Sequence, residues 1–472
     1  MPPLVGLARA KPFWLDEGFE IAEACRHSYL ALLVRGAPGQ CSPSPLYYLA
    51  QRLSVRSLDR FDDGIAVTYR RVSLIAAGLL VFATTLAMHA RLGTTWALVA
   101  VALLASPPLF ARYAAENRPY MSWLLLFALT VLAGAEAAAR PWRETGRTRR
   151  LALAVAALAL SLVALPGAPQ AALACAVGSL SWRRAAEDRR ETRAALAWGL
   201  LMAAGCMAVG LYFGARSPCR EYDAGPLALR WPDRTGRAAP VLALVWGEGI
   251  AGQIGNALLA LGLVAAWRPA TWRSPNDDDR APRAAFASWL ARGVAAQLVL
   301  TLLLAVQVVL AGYYFLDRVF LHLVVCRALL VAVGGWWLLR RLEERAGPPL
   351  RTALRTLGAG LAVVAAATAF LTVRARAEGA PVALTEAEQT RCGDLGGTLV
   401  VDRPAGTEDW ARGPNFIVRL ARDRRRCGDG HAPGVRHVVA ADGAYEITPD
   451  AARSTVPLEQ CGRQVVISAG GR

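Results

Sequence analysis

Long apolar segments separated by short polar ones occupy the middle of the chain. Ten of them approach the roughly 20 residues that a helix needs to cross a hydrocarbon core about 30 Å thick. They are residues 74–90, 96–111, 121–139, 151–165, 171–182, 195–213, 244–267, 294–310, 319–339 and 357–373. The fourth and fifth are short and meet at Pro166 and Pro169, so they form either a re-entrant hairpin or two crossings. Two crossings keep the charge pattern in phase, and the sequence therefore predicts about ten membrane helices.

Arginine is concentrated in alternate loops between these segments. The basic loops lie within residues 140–150, 183–193, 268–283 and 340–355. Because cytoplasmic loops carry an excess of Lys and Arg, these four loops are predicted to lie in the cytoplasm. The other polar segments then lie outside: residues 1–72, the loop around Glu116, residues 216–240, residues 313–318 and everything after Arg374. The pattern predicts a multi-pass protein of the plasma membrane.

The first outside segment, residues 1–72, is predicted to contain surface helices. Apolar residues recur at helical spacing from Phe19 to Val34, and a second such run begins near Ser42 and contains Tyr47 and Tyr48. Helices of this kind lie in the interface of the outer leaflet. No segment before them is long enough to carry the N-terminus across the membrane. We therefore expect that a first membrane helix is missing from this sequence.

Composition agrees with a membrane protein and argues against two other classes. The chain of 472 residues is 55% hydrophobic and 19% charged, against about 25% charged in soluble domains. Its net charge of +17 rests on arginine, since Lys11 is the only lysine. In a soluble protein that charge would indicate nucleic acid. Here the arginines follow the loop alternation, so topology accounts for the charge and no nucleic-acid partner is predicted.

The cysteines fall into two groups that agree with the predicted topology. Cys175, Cys206 and Cys326 fall inside apolar segments, where a thiol acts as a small apolar side chain. Six others fall in the predicted outside segments, where an oxidising environment favours disulfides. They are Cys25, Cys41, Cys219, Cys392, Cys427 and Cys461. A Cys25–Cys41 bridge and one bridge within the C-terminal segment are expected; unpaired thiols are the alternative.

The C-terminal segment, residues 375–472, is predicted to be a small extracytoplasmic domain. Residues 396–402 and 436–440 have the composition of short strands bounded by turn residues. The domain is therefore predicted to be α/β or β-rich. It contains no catalytic motif, which favours an accessory role.

Candidate chemistry begins at Asp16 and Glu17. These adjacent carboxylates follow a Pro-Phe-Trp-Leu run, and Trp favours the membrane–water boundary. A carboxylate pair there serves either as a catalytic site or as the acidic first turn of a surface helix.

Further motifs follow in a fixed order. They are Trp-Leu-Asp-Glu at 14–17, Pro-Leu-Tyr-Tyr at 45–48, Tyr-Arg-Arg-Val-Ser at 69–73, the string at 106–120 that ends in Glu-Asn-Arg-Pro-Tyr, and Tyr-Tyr-Phe-Leu-Asp-Arg at 313–318. In this order, and over residues 11–340, the chain resembles the GT-C class of polyprenyl-phosphate-sugar-dependent glycosyltransferases. Within that class it is similar to the bacterial protein mannosyltransferases and to the aminoarabinose transferases of lipid A. Two departures concern the residues before Pro45, where the family has His or Lys, and Val319, which stands in place of a tyrosine.

The resemblance implies an enzyme of known class with a lipid-linked donor. A sugar would pass from a polyprenyl-phosphate donor to a hydroxyl of a lipid, glycan or protein acceptor, on the extracytoplasmic side. It implies Asp16 as the general base, with Glu17 binding the acceptor, holding a metal or tuning Asp16. A single displacement with inversion is expected. The phosphate leaves without a general acid, and it needs positive charge nearby.

The resemblance also implies roles for residues further along the chain. Glu116 is expected to be catalytic or to support a metal, and Arg118 to be structural or to bind phosphate. An arginine within a membrane helix normally faces a partner or a cavity, and a lipid phosphate is a suitable partner. The substrate-binding residues are expected to be Arg118, Tyr120, Tyr47, Arg318, His322 and Arg327. Local ion pairs and helix caps are the alternative. No particular cofactor is predicted, and Asp16, Glu17 and Glu116 leave open a site for Mg or Mn.

Two other functions were weighed. A transporter or flippase would have inverted repeats and polar sites at the midplane, whereas the sequence has no internal repeat and its polar residues gather on one side. A membrane scaffold that displays the C-terminal domain is the third interpretation.

Overall fold

The computed structural model describes most of the helical part of the chain and five strands. The described residues are 2–10, 17, 20, 24, 27–37, 44–56, 65–140, 145–185, 189–216, 242, 244–246, 249–267, 280–310, 317–378, 398–401, 436–439, 445–448, 456–457 and 465–468. The chain divides into two compact units. Unit 1 contains Met1–Ile75, Arg112–Pro119 and Arg374–Arg472, and unit 2 contains Ala76–Ala111 and Tyr120–Val373.

The described helices follow the apolar segments of the sequence. In the first part of the chain they are α1 (Pro2–Ala10), α2 (Tyr29–Arg35), α3 (Pro45–Arg56), α4 (Ile65–Leu92), α5 (Thr94–Ala105), α6 (Pro108–Ala114) and α7 (Tyr120–Ala138). They continue as α8 (Gly146–Val163), α9 (Gly167–Ala185), α10 (Arg189–Gly214), α11 (Gly249–Trp267), α12 (Arg280–Leu310), α13 (His322–Arg345) and α14 (Pro348–Glu378). A 3₁₀ turn, Asp317–Phe320, precedes α13. Each of the ten apolar segments thus overlaps at least one helix.

Six of the helices are long and apolar enough to cross a membrane. Within the described residues these are Tyr69–Leu92, Tyr120–Ala138, Arg189–Gly214, Arg283–Gln307, His322–Arg345 and Pro348–Ala375. The pair α5 and α6, bent by 75° at its break, gives a seventh if the two form one span. The chain is therefore a multi-pass, almost entirely helical membrane protein. The larger number of ten crossings remains a prediction.

The helices of unit 2 differ in how deeply they are buried within the protein. In α13, 78% of the apolar window is buried, and in α7 the share is 67%, whereas α10 and α14 bury only 17% each. Exposed leucines such as Leu200 on α10 and Leu361 on α14 are suited to contact with lipid tails. The central helices are thus α7 and α13.

Small residues allow α11 and α13 to approach closely. A Cβ added at Gly334 of α13 would collide with the carbonyl oxygen of Leu258 in α11, and one added at Gly262 would collide with that of Leu330. Without a hydrophobic driving force between helices in lipid, such backbone contact is the main source of helix association. The two glycines therefore set the distance between these helices.

The three cysteines of the apolar segments are buried and free. They are Cys175 in α9, Cys206 in α10 and Cys326 in α13. The prediction that these thiols lie inside the bundle is confirmed. The other six cysteines, and the predicted Cys25–Cys41 bridge, lie outside the described residues.

In unit 1, the local sequence determines where the short helix α2 begins and ends. The Ser28 hydroxyl accepts a hydrogen bond from the Ala31 N–H at 3.2 Å, and Gly36 ends the helix with φ of +69°. Ser at the N-cap and Gly after the last turn are the preferred residues at these positions. Leu32 is buried while Leu30 and Leu33 are exposed, so the helix is amphipathic.

The C-terminal part contains five short strands. They are β1 (Thr398–Val401), β2 (Arg436–Val439), β3 (Tyr445–Thr448), β4 (Val456–Pro457) and β5 (Val465–Ser468). They form one antiparallel sheet in the order β2-β3-β1-β5-β4. Val400 pairs with Glu446 on one side and with Val466 on the other. The first strand is therefore the central one.

Candidate active site

The segment after the predicted catalytic base presents a buried face in unit 1. Glu17, Glu20 and Ala24 have helical backbone, and all three are buried. Positions three and four apart share one face of a helix. Asp16 itself lies outside the described residues. Two carboxylates on a buried face require partners, because an unpaired charge inside a protein is very costly.

Glu17 is held by a guanidinium from the start of α4. Arg70 donates from Nε to Glu17 Oε1 and from Nη2 to Glu17 Oε2, each at 2.8 Å. Both side chains are shielded from solvent, with 0% and 1% of their surface exposed. The third nitrogen of Arg70, Nη1, donates to the carbonyl oxygen of Ala8 at 2.7 Å. Such parallel, charge-assisted bonds fix geometry strongly, so Arg70 joins α1, the Glu17 segment and α4.

Asn117 supplies a second set of bonds to Glu17. Its backbone N–H donates to Glu17 Oε1 at 2.6 Å, and its Nδ2 donates to the Glu17 carbonyl oxygen at 3.2 Å. Asn117 Oδ1 in turn accepts from the Tyr47 hydroxyl at 2.6 Å. The turn after α6 and the first turn of α3 are thereby attached to the same carboxylate segment.

Glu20 is paired in a similar way. Arg118 Nη1 donates to Glu20 Oε1 at 2.9 Å, and the Tyr48 hydroxyl donates to Glu20 Oε2. Burial, together with the negative charge of Glu20, raises the pKa of Tyr48 well above its usual value. Tyr48 therefore stays neutral and remains a donor to Glu20 at physiological pH.

Glu116 lies in the turn between α6 and α7. Arg112 Nε donates to Glu116 Oε1 at 3.1 Å, one helical turn earlier in the chain. The backbone of the turn is closed by the Arg118 N–H, which donates to the Glu116 carbonyl oxygen at 3.0 Å, and by the Ser73 hydroxyl, which donates to the Arg118 carbonyl oxygen at 3.1 Å. Glu116 is buried, whereas the Arg112 side chain is 38% exposed. This ion pair therefore has one solvent-facing member.

Unit 1 thus combines three carboxylates with three guanidinium groups. The pairs are Glu17 with Arg70, Glu20 with Arg118, and Glu116 with Arg112. The arrangement brings the predicted residues Glu17, Tyr47, Glu116 and Arg118 into one network. Arg70, Asn117, Glu20 and Tyr48 were given no role from the sequence, although they lie in or beside the motifs. The signal that could have indicated Arg70 is a charged residue near the start of an apolar helix.

Four further predicted residues belong to unit 2. Tyr120, half-buried, is the first residue of α7 in unit 2. His322 begins α13 and is buried; its Nε2 lies 2.6 Å from Thr301 Oγ1. Arg327, on the same helix, has its Nη2 3.4 Å from the point where a Cβ on Gly255 would lie. Arg318 belongs to the 3₁₀ turn, and its side chain lies outside the described part of the chain.

The described carboxylates of unit 1 can be compared with the metal site that the sequence leaves open. Among the described residues there is no group of three or more His, Cys, Asp or Glu side chains that could hold a metal ion. Glu17 already accepts three hydrogen bonds through its two carboxylate oxygens. Those bonds leave Glu17 little capacity for a cation.

Comparisons with known proteins include matches to solved structures. No protein-family model and no curated protein matches the sequence. The oligosaccharyltransferase of Archaeoglobus fulgidus, solved with zinc and sulfate, is similar with a TM-score of 0.42 and 11% identity. The match covers 83% of this chain and 55% of that one, so the chain spans about half the length of the solved protein. A TM-score this low adds no argument about substrate or side chains.

Proposed function

We propose that the chain is an integral membrane glycosyltransferase. It transfers a sugar from a polyprenyl-phosphate donor to a hydroxyl of a lipid, glycan or protein acceptor on the extracytoplasmic face. The proposal includes about ten membrane crossings, residues 1–72 with their surface helices outside, the bundle 73–374, and residues 375–472 as an accessory domain outside. The six or seven membrane-length helices support the membrane part of this proposal.

The reaction is a single displacement at the anomeric carbon. The acceptor oxygen forms a bond to that carbon while the bond from carbon to the phosphate oxygen breaks, and its electron pair leaves with the polyprenyl phosphate. Asp16 takes the proton of the acceptor hydroxyl as the bond forms. Attack opposite to the leaving group inverts the configuration of the sugar.

The observation that carries the proposal is the fixed position of Glu17, the residue that follows Asp16. A general base works only when held close to the proton that it removes, and small displacements lower the rate greatly. Glu17 is attached to Arg70 and Asn117 by bonds of 2.6–2.8 Å. We assign it the task of positioning and tuning Asp16. A surface helix cap would not need a carboxylate buried against a guanidinium.

The other residues receive roles that fit their contacts. Glu116, next to the partly exposed Arg112, is proposed to assist catalysis or to bind Mg or Mn if a cation takes part. Arg118 and Tyr47, which belong to the network, are proposed to bind substrate, and Tyr120 is proposed to contact it as well. Arg318 and Arg327 are proposed to bind the lipid phosphate, because a guanidinium binds phosphate through two parallel hydrogen bonds.

The decisive experiment is substrate consumption by the purified protein. A panel of polyprenyl-phosphate sugars is offered with and without acceptors, and release of polyprenyl phosphate is measured. Asp16→Asn should lower turnover by about 10²–10⁴-fold, the usual contribution of a general base, while donor binding persists. Asp278→Asn, in a predicted cytoplasmic loop, is the matched control and should keep full activity.

Three results would contradict the proposal. One is full turnover by Asp16→Asn. Another is uptake of the lipid-linked sugar into vesicles that survives Asp16→Asn, which would favour the transporter. The third is chemical labelling that places Asp16 in the cytoplasm.

A further inference from the structure

A continuous chain of hydrogen bonds crosses the interior of unit 2 and joins four helices. Trp123 of α7 donates from Nε1 to Gln170 Oε1 of α9 at 2.9 Å, and Gln297 of α12 donates from Nε2 to the Gln170 carbonyl oxygen at 2.8 Å. The Thr301 hydroxyl donates to the Gln297 carbonyl oxygen at 2.7 Å and lies 2.6 Å from His322 Nε2. All five side chains are buried.

The direction of these bonds assigns the tautomer of His322. A threonine hydroxyl has one proton, and that of Thr301 points to the Gln297 carbonyl oxygen. Thr301 Oγ1 must then accept at its short contact with His322, so Nε2 carries the proton. The ring also packs against Trp123 and Phe127, with centroids 5.3 and 5.4 Å away. In a neutral ring with a proton on Nε2, Nδ1 carries a lone pair and can only accept.

Three polar atoms of this cluster have no hydrogen-bond partner among the described residues. They are His322 Nδ1, Gln297 Oε1 and Gln170 Nε2, and all three are closed to solvent. An unsatisfied buried polar atom destabilises a protein, and more strongly where lipid surrounds it. The three atoms belong to residues of one hydrogen-bonded cluster, which points to a group that satisfies them together.

The cluster lies close to one end of the bundle. His322 is the first residue of α13, and Trp123 and Gln170 each lie three positions after the first residues of their helices, Tyr120 and Gly167. At a rise of about 1.5 Å per residue, they lie within roughly 5 Å of those helix ends. By the charge pattern this is the outward end, so a polar molecule would reach the cluster across a short distance.

We propose that His322 Nδ1, Gln297 Oε1 and Gln170 Nε2 form a binding site for a neutral hydroxyl group. Two acceptors and one amide donor match a hydroxyl, which donates one proton and accepts others. A phosphate oxygen would face two lone pairs and be repelled. The cluster has no carboxylate among its described members, so a cation would find only weak ligands. The site goes beyond the transfer reaction, and it accepts either an internal water or a hydroxyl of a sugar or polyol.

The test is a structure of the full chain in lipid nanodiscs at a resolution that shows ordered water. Three samples are compared: the protein alone, the protein with free mannose, and the protein with inorganic phosphate. We expect a peak about 2.7–3.2 Å from His322 Nδ1 and Gln297 Oε1. A peak unchanged by mannose identifies water, and one that grows into a sugar ring identifies a carbohydrate hydroxyl. Both outcomes support the site.

Matched variants separate this site from a merely structural histidine. His322→Gln keeps a donor for Thr301 and removes the Nδ1 lone pair, so the peak should disappear while the fold is retained. His322→Asn places an amide oxygen near the position of Nδ1 and should keep the peak. Gln297→Met, which removes Oε1, serves if the histidine variants do not fold. The proposal is overturned by a dry site, by protein density in that position, or by a peak that grows with phosphate.

Discussion

Asn117 and Glu17 are joined twice, although 100 residues separate them in the chain. The backbone N–H of Asn117 donates to the Glu17 carboxylate at 2.6 Å, and its side chain donates to the Glu17 carbonyl oxygen at 3.2 Å. One contact depends on the side chain of Glu17 and the other on its backbone. Together they fix both the position and the orientation of the residue that follows Asp16.

The bond from the Asn117 side chain gives the first prediction. Asn117→Asp keeps an acceptor for Tyr47 but replaces the donor to the Glu17 carbonyl oxygen by a carboxylate oxygen. We expect a loss of about 3–5 kcal/mol in the free energy of unfolding, because the substitution buries a negative charge against the Glu17 carbonyl oxygen. If the proposed reaction holds, turnover falls as well. Thermal unfolding of the purified protein measures the first effect.

Tyr47→Phe is the companion variant, since it removes only the hydroxyl that contacts Asn117 Oδ1. It should cost less than Asn117→Asp. Equal stability of wild type and Asn117→Asp would mean that the double attachment contributes nothing to the free energy of unfolding.

The Glu17–Arg70 pair gives the second prediction. Glu17→Gln removes the carboxylate charge that the buried Arg70 contacts, and breaking a buried pair costs about 3–5 kcal/mol. Replacing both residues, as in Glu17→Gln with Arg70→Met, removes both charges and should restore part of the loss. A double-mutant cycle on unfolding midpoints measures the coupling.

Arg355 and Glu343 provide the control for this cycle, because their bidentate pair is exposed, with 66% of the arginine side chain accessible. Arg355→Met should change stability by less than about 1 kcal/mol. A cycle on Glu17 and Arg70 with no more coupling than this control would contradict the prediction.

The raised pKa of Tyr48 gives the third prediction, which concerns the stability of the protein at alkaline pH. Its pKa in the folded protein lies above the usual value of about 10, first because it is buried and second because Glu20 is near. The stability that this raised pKa contributes is complete below about pH 10 and is lost as the pH rises through the folded pKa. Tyr48→Phe lacks this contribution. The difference in unfolding midpoint between wild type and Tyr48→Phe should therefore shrink as the pH rises above about 10.

The other tyrosines are common to both proteins and cancel in this comparison. A difference that stays constant across the alkaline range would show that Tyr48 ionises alike in the folded and unfolded chain.

The glycine contacts of the bundle give the fourth prediction. Gly334→Ala places a methyl group against the backbone of α11 and should lower the unfolding midpoint, by about 1–3 kcal/mol in stability, as overpacking does elsewhere. Gly360→Ala on α14 is the matched control, because nothing lies within 4 Å of its Cβ position. This control should be neutral or slightly stabilising, since Ala favours helix over Gly. Equal effects of the two substitutions would contradict close packing at Gly334.

Several residues of the candidate site could be predicted from the sequence, and others could not. The motifs named Glu17, Glu116, Arg118 and Tyr47; Asn117 joins Glu17 to Tyr47, and the Arg118 N–H donates to the Glu116 carbonyl oxygen. The partner of each was not predicted. Glu17 was expected to act with Asp16 or a metal, and its carboxylate instead contacts Arg70 and Asn117. Buried pairing depends on which segments meet in space, and a linear motif does not contain that information.

The helices and the burial of the three bundle cysteines were determined by the sequence alone. Crossing a membrane depends on the length and polarity of a single segment, because each backbone group must be satisfied within that segment. Only the tertiary structure decided that Arg70 neutralises Glu17, that Asn117 holds it from 100 residues away, and that His322 contacts Thr301. Those contacts depend on the packing of distant segments, where the cost of an unpaired buried group selects the partner.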